Sequence, residues 1–326
     1  MWTRYLGLYV GHTAYAQLLV LTVYLGGMSV GALLVADRAK RVRDPLAWYV
    51  GTEVALGALG VLFPAVFALV TSISYDVLFP ALGSGPLVGA ARWGIATALI
   101  LPQAILLGAT FPFMATALAR ATPTRSGHAV AVAYLCNTLG GAVGVLLAGF
   151  LLVGWLGLGG TVIVAAFLNI AAAALAHRAS SGSAPGLRPK NPDQAPVAPS
   201  PTTGPTEPAA VIFVVAFGTA AASFVYEIGW IRMLSLVLGS ATHSFELMLS
   251  AFILGLAIGA WWVRGRVDEA SDPLALVGVV QIIMGIGAAL SLPLYLATYR
   301  MMPVLVTELP YWPAGYELFN LSRYAL

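Results

Sequence analysis

The sequence predicts an all-α fold, a polytopic bundle of transmembrane helices, and three observations predict it. Sixty per cent of the 326 residues are hydrophobic and only 9% are charged, against about 25% charged in an ordinary soluble domain. The mean hydropathy is +0.89, so lipid is the solvent for most of the chain. Apolar runs near the ~20 residues needed to cross a bilayer recur along the whole length. The chain also contains two copies of one helical unit.

Gly is abundant, at 35 residues, which suits membrane helices that pack at close range. The net charge of +3 gives no reason to expect nucleic acid. The single cysteine, Cys136, supports neither an internal disulfide nor a cysteine-based zinc cluster, and it reads as a packing residue. No cleavable signal peptide is evident.

The duplication appears when the chain is shifted by 228 residues. Trp2, Arg4, Leu6, Leu8 and Gly11 then fall on Trp230, Arg232, Leu234, Leu236 and Gly239, and Gly27, Gly31 and Ala32 fall on Gly255, Gly259 and Ala260. Asp44-Pro45-Leu46-Ala47 falls on Asp272-Pro273-Leu274-Ala275. The Trp, Arg, Gly and Asp-Pro matches carry the argument, because Leu and Ala match cheaply in this composition. Repeats of this kind are common in transporter folds. Copy one lacks the first half of its first helix, which copy two has at Ala220–Glu227. Adding 228 to Arg178, where copy one ends, gives 406, about 80 residues past Leu326. The second repeat is therefore expected to be incomplete, and the chain a fragment or a mis-started reading frame.

The expected segments of the first repeat, 1–178, are 1–11 (a partial helix), 13–36, 45–72, 87–119, 128–153 and 156–177. Those of the second, 211–326, are 211–237, 241–263 and 273–298, with a fourth starting after Tyr316. Arg38, Lys40, Arg41 and Arg43, then Arg120 and Arg125, then Arg178, Arg188 and Lys190, then Arg264 and Arg266 all fall on one side if the segments alternate. The turns at 72–86, 154–156 and 238–242 carry no Lys or Arg. The positive-inside rule then puts the basic loops in the cytoplasm of a multi-pass protein of the cell (plasma or inner) membrane. Residues 179–210, rich in Pro, Ser, Thr and Gly, read as a flexible cytoplasmic linker.

Six helices, a cytoplasmic linker and a second set of helices is the plan of the major facilitator superfamily, and Gly31 through Asp37-Arg38-Ala39-Lys40-Arg41 resembles its loop after the second helix. A closer resemblance is to the membrane region of spermidine synthase-like integral membrane proteins, the fused facilitator/spermidine synthase family. Glu227-x-x-Trp230-x-Arg232-x-Leu234, Gly108-Ala109-Thr110-Phe111-Pro112, and Tyr134-x-x-Asn137-Thr138-Leu139-Gly140-Gly141-Ala142-x-Gly144 carry it. The resemblance implies a facilitator-like fold and a role around polyamines: making them, moving them, or holding an aminopropyltransferase-like domain at the membrane. The Rossmann sheet and catalytic aspartates of that domain are not found in this sequence. The Gly154–Gly160 cluster reads as a helix turn, since no strand precedes it. No catalytic residue, cofactor or metal is therefore expected here, and the partners expected are the lipid bilayer, a polyamine or other small solute, and an aminopropyltransferase-like domain.

Ionisable groups within spans are costly and point to function by default. Glu53, whose repeat mate is Gln281, is a candidate proton or cation site, or else a hydrogen-bonding link between helices. Glu227, Trp230 and Arg232 share one helix. Glu227 and Arg232 are five apart, which is poor stacking that a flexible Arg still bridges. Arg4 is the repeat mate of Arg232, and Asn137 is a polar residue within a span. His243 and Glu246 share a helix face but lack a third ligand. Asp76 and Arg92 read as a surface ion pair, Pro112 as a kink, and Gly140, Gly141 and Gly144 as a close-packing face. The alternatives to a polyamine role are a proton-coupled small-solute transporter of the facilitator type, with Glu53 and Glu227 as coupling groups, and a non-transporting membrane scaffold.

Overall fold

In hydrocarbon every backbone N–H and C=O must be paired within the protein, and an apolar run achieves this by becoming a helix. The computed structural model, which describes residues 1–11, 13–83, 85–122, 126–181, 207–238, 241–266 and 272–308, contains helices and no strand among them. The helices are α1 (Trp2–Val10), α2 (Thr13–Arg41), α3 (Pro45–Ile73), α4 (Phe79–Leu82), α5 (Pro86–Ala121), α6 (Ser126–Leu146), α7 (Val153–Ser181), α8 (Glu207–Leu238), α9 (Ala241–Val263) and α10 (Pro273–Glu308). Two π-helical stretches, Ser74–Leu78 and Leu147–Leu152, lie between α3 and α4 and between α6 and α7. Seven of the helical stretches among the described residues are long and apolar enough to cross a membrane. The protein is an all-α, multi-pass membrane bundle. Most of the 179–210 linker and the residues after Glu308 lie outside the described residues.

The chain forms two compact units. Unit 1 comprises Met1–Tyr134 and Leu147–Ala198, and unit 2 comprises Leu135–Leu146 and Pro199–Leu326. The repeat is visible in how helices begin. Asp44 caps α3, its carboxylate accepting from the Ala47 amide at 3.1 Å, with Pro45 in the first turn. Asp272 caps α10 in the same way, accepting from the Ala275 amide at 3.0 Å. An aspartate satisfies one of the orphan amides of a helix start, and proline has no amide to lose there. Asp44→Ala and Asp272→Ala should each cost about 1 kcal/mol, read as a small drop in the melting temperature of the detergent-solubilised protein.

Unit 1 is held by glycines at helix crossings. A Cβ on Gly31 would collide with the Ile105 carbonyl, and one on Gly108 with the Met28 carbonyl, so α2 and α5 touch backbone to backbone. At Gly27 a Cβ would lie 2.6 Å from the Ala104 Cβ. The α3–α7 crossing is similar, since a Cβ on Gly60 would lie 2.9 Å from Ala166 Cβ and one on Gly57 2.6 Å from Ile170 Cγ1. Lipid tails are as apolar as leucine, so membrane helices gain most from this kind of close contact. The expected close-packing face of α6 is not formed in this way: Gly140 and Gly144 have nothing within reach of a Cβ, and Gly141 meets only Ile253. Cys136 is exposed rather than packed.

Two arginines fasten the ends of α5. Arg120 donates from Nη1 to the Val42 carbonyl (2.9 Å) and from Nη2 to the Lys40 carbonyl (2.7 Å), closing the open C-terminal end of α2. Arg92 donates to the Val10 carbonyl at the end of α1 (3.3 Å) and lies over the rings of Phe79 and Tyr75, 5.2 and 5.7 Å from their centroids. The last carbonyls of a helix carry partial negative charge and lack intrahelical donors, which a guanidinium supplies. Twenty-eight residues of helix separate the two arginines, about 42 Å at 1.5 Å per residue, which matches a bilayer with its headgroups. Arg120→Ala should cost about 1–3 kcal/mol of stability, and Arg120→Lys should restore only part of it, because one ammonium lacks the planar fork that reaches two carbonyls. Thermal melts of both variants check this.

Three local expectations are corrected. The turn expected across 72–86 is mostly helical, because α3 runs on through the π turn to Leu82. That turn aims Ser74 and Tyr75 at α1: the Tyr9 hydroxyl donates to Ser74 Oγ (2.9 Å) and the Tyr75 hydroxyl to the Tyr9 carbonyl (2.6 Å). Asp76 accepts from Ser72 (2.7 Å) while Arg92 turns to carbonyl and rings, so the two do not form the expected ion pair. The break expected at 154–156 sits at Gly157, whose φ of 68° is open chiefly to glycine. Apart from these three, Pro102 and the expected kink residue Pro112 both lie inside α5, where each leaves one backbone carbonyl without its helical donor.

Candidate functional site

The sequence-predicted residues divide between the two units. In unit 1, Glu53 faces inward from α3 and is 8% exposed. The Tyr49 hydroxyl, one helical turn earlier, hydrogen-bonds its carboxylate. The four-residue spacing makes that pair geometrically natural. Arg4 is half-buried on α1, next to Tyr5, which packs edge-on against Phe63 and Phe67.

Among the described residues of unit 2, Glu227 is the most enclosed acid, at 1% exposure, and its Oε1 is buried with no hydrogen-bond partner. One turn on, Ile231 packs with Phe245 and Met248 of α9, so Glu227 continues a buried apolar stripe of α8. Arg232, the expected partner, is exposed; it lies on a different side of the helix and leaves Oε1 unsatisfied. An orphaned buried carboxylate oxygen is costly, and such groups in native structures call for a reason.

Trp230 stacks on Tyr226 (centroids 5.8 Å apart, 22° between planes) and donates from Nε1 to Ser291 Oγ at 3.1 Å, joining α8 to α10. A second link joins the same helices: Gln281, the repeat mate of Glu53, donates from Nε2 to Thr219 Oγ1 at 2.7 Å. Thus the polar position shared by both repeats bonds along its own helix in unit 1 and across to a neighbour in unit 2. Asn137 is exposed on the part of α6 that belongs to unit 2, where Ser250 of α9 donates to the Ala142 carbonyl (3.3 Å). Glu246 is buried on α9; the His243 side chain lies outside the described residues. Among the described residues no group of three His, Cys, Asp or Glu could hold a metal.

Between α8, α9 and α10 lies a cavity of about 610 Å³. Its walls are aromatic and aliphatic, with the rings of Tyr226, Trp230, Phe252 and Tyr295, three methionines and the hydroxyls of Thr219, Ser223, Ser291 and Thr298. Among the described residues no carboxylate and no basic side chain lines it, so these walls offer no charge to hold an ion. Glu227 adjoins Tyr226 in the chain but turns away from this space. Sequence reasoning missed Ser291, Thr219 and Arg120; a polar residue in the middle of an apolar helix was the available signal for the first two. Comparison with protein-family models, with curated proteins and with solved structures finds no match for the chain.

Proposed function

We propose that this chain is the integral membrane portion of a spermidine synthase-like protein and acts as a facilitator-type carrier for a small cationic solute of the polyamine kind. Glu227 is its principal intramembrane carboxylate and Glu53 the second. The observation that carries the reading is Glu227 itself, a carboxylate 1% exposed with an unpartnered oxygen among apolar helices. Membrane proteins keep such a group where it binds a cation or exchanges a proton. Glu53 supports the reading more weakly, because Tyr49 already satisfies it. The run of basic residues from Arg38 to Arg43, with Arg120 and Arg178, supports a cytoplasmic placement of those ends in the cell membrane.

The test is uptake of radiolabelled spermidine into proteoliposomes. Glu227→Gln should lower it by 10-fold or more, on the order of 1.4 kcal/mol or above, and Glu53→Gln by less. Unchanged uptake in both variants, with co-purification of an aminopropyltransferase-like domain, would replace the carrier with a membrane scaffold. That second reading draws on the backbone-to-backbone α2–α5 contact within unit 1.

A further inference from the structure

We infer that the C-terminal end of α2 is a binding site for the headgroup of an anionic phospholipid, whose phosphate is held by the guanidiniums of Arg38 and Arg41. Val30, Leu34, Arg38 and Arg41 are spaced by four, four and three residues, so they share one face of the helix. All four are exposed, Leu34 at 54%. The face therefore runs from side chains that suit lipid tails to two cations where headgroups begin. Among the described residues the guanidiniums of Arg38 and Arg41 have no hydrogen-bond or ion-pair partner; the neighbouring Lys40 is the cation that reaches Asp37, at 3.4 Å.

The last carbonyls of a helix carry partial negative charge, which repels a phosphate. Arg120 offsets that charge at α2 by donating to the Lys40 and Val42 carbonyls, so Arg38 and Arg41 are left for a ligand. The second repeat gives the contrast. Arg266, the repeat mate of Arg38, lies over the Trp262 ring, 4.5 Å from its centroid, and donates to the Trp262 carbonyl at 2.7 Å. The residue matching Trp262 in the first repeat is Leu34, which has no ring to hold Arg38. At the opposite end of unit 1, Arg92 is already held by a carbonyl and two rings. Guanidiniums three residues apart, with about 5–6 Å between Cβ atoms, both fork onto phosphate oxygens, a geometry an ammonium does not match. Trp48, 58% exposed in the first turn of α3, places an interfacial ring at the same end. The headgroup must carry net negative charge, because the ammonium of a choline headgroup would meet the same two cations.

The experiment is native mass spectrometry of the purified protein in neutral detergent, titrated with phosphatidylglycerol. Arg38→Gln combined with Arg41→Gln should weaken binding roughly 30-fold, about a factor of five for each cation near a headgroup. Arg38→Lys with Arg41→Lys keeps the charge without the fork and should fall between. Arg178→Gln with Arg266→Gln removes the same charge elsewhere and should bind as wild type does. Inorganic phosphate should compete poorly, since it brings no tails for Val30 and Leu34. Both target side chains are exposed, so the Gln pair should melt as wild type does; if it does not, the Lys pair and the competition decide. Unchanged binding in the Gln pair at Arg38 and Arg41 overturns the inference, and so do equal losses in both Gln pairs, which would mean diffuse attraction. Phosphatidylcholine bound as tightly as phosphatidylglycerol, or inorganic phosphate competing as well as the lipid, also overturns it. No readout involves uptake, so failure here leaves the carrier reading standing.

Discussion

Gly31→Leu should abolish the folded form of unit 1, and Gly108→Leu should do the same. At each position the added Cβ lands on a carbonyl of the facing helix, Ile105 in one case and Met28 in the other. A clash with the end of a flexible side chain is relieved by a rotamer change, but a clash with backbone is relieved only by moving a whole helix. Forced overpacking typically costs 1–3 kcal/mol, and here α5 must also withdraw from α2 along its length. The loss should reach on the order of 3 kcal/mol or more. It carries a second consequence: Arg120 would no longer reach the Lys40 and Val42 carbonyls that close α2. Size-exclusion profiles and thermal melts of the solubilised variants check the prediction. Gly144→Leu, on a helix face with nothing nearby, is the control and should be tolerated. Wild-type-like melting of Gly31→Leu would mean that α2 and α5 do not touch as described.

The fold was legible where a single segment determines its own structure. A run of apolar residues in lipid has one economical way to pair its backbone, so helices α2, α3, α5 and α9 lie close to their expected places. Asp44-Pro45 and Asp272-Pro273 start helices because the capping chemistry is local. What sequence could not give depends on which segments meet. Arg120 read only as one more cation on the basic side; its role needs the end of α2 to lie beside the end of α5. The π turn at Ser74–Leu78 fits two side chains to α1 and leaves no trace in an apolar pattern. The glycines of α6 looked as suited to close packing as those of α2, yet only the latter meet another backbone. Among the candidate residues, Glu53 and Glu227 both read as ionisable groups within spans; that the Tyr49 hydroxyl satisfies Glu53 emerged only from the folded helix. The orphan state of Glu227 was hidden, because a flexible Arg232 five residues on was a plausible partner until the helix placed it on the exposed side.

Replacing Glu227 by leucine should make the protein more stable and inactive at once. Desolvating a carboxylate oxygen that finds no donor costs about 1–3 kcal/mol or more, and an apolar side chain of similar volume removes that cost while extending the stripe through Ile231 to Phe245 and Met248. Exchange of buried polar groups for well-packed apolar ones is often neutral or stabilising. Glu53→Leu should behave differently: it strips the Tyr49 hydroxyl of its partner, so it destabilises rather than stabilises. The two substitutions thus separate a carboxylate kept for function from one kept for structure. A rise in melting temperature for Glu227→Leu together with lost spermidine uptake identifies a group retained against its own cost to the fold. A fall in melting temperature would mean that Glu227 holds a structural partner in the intact protein, and the carrier reading would lose its main support.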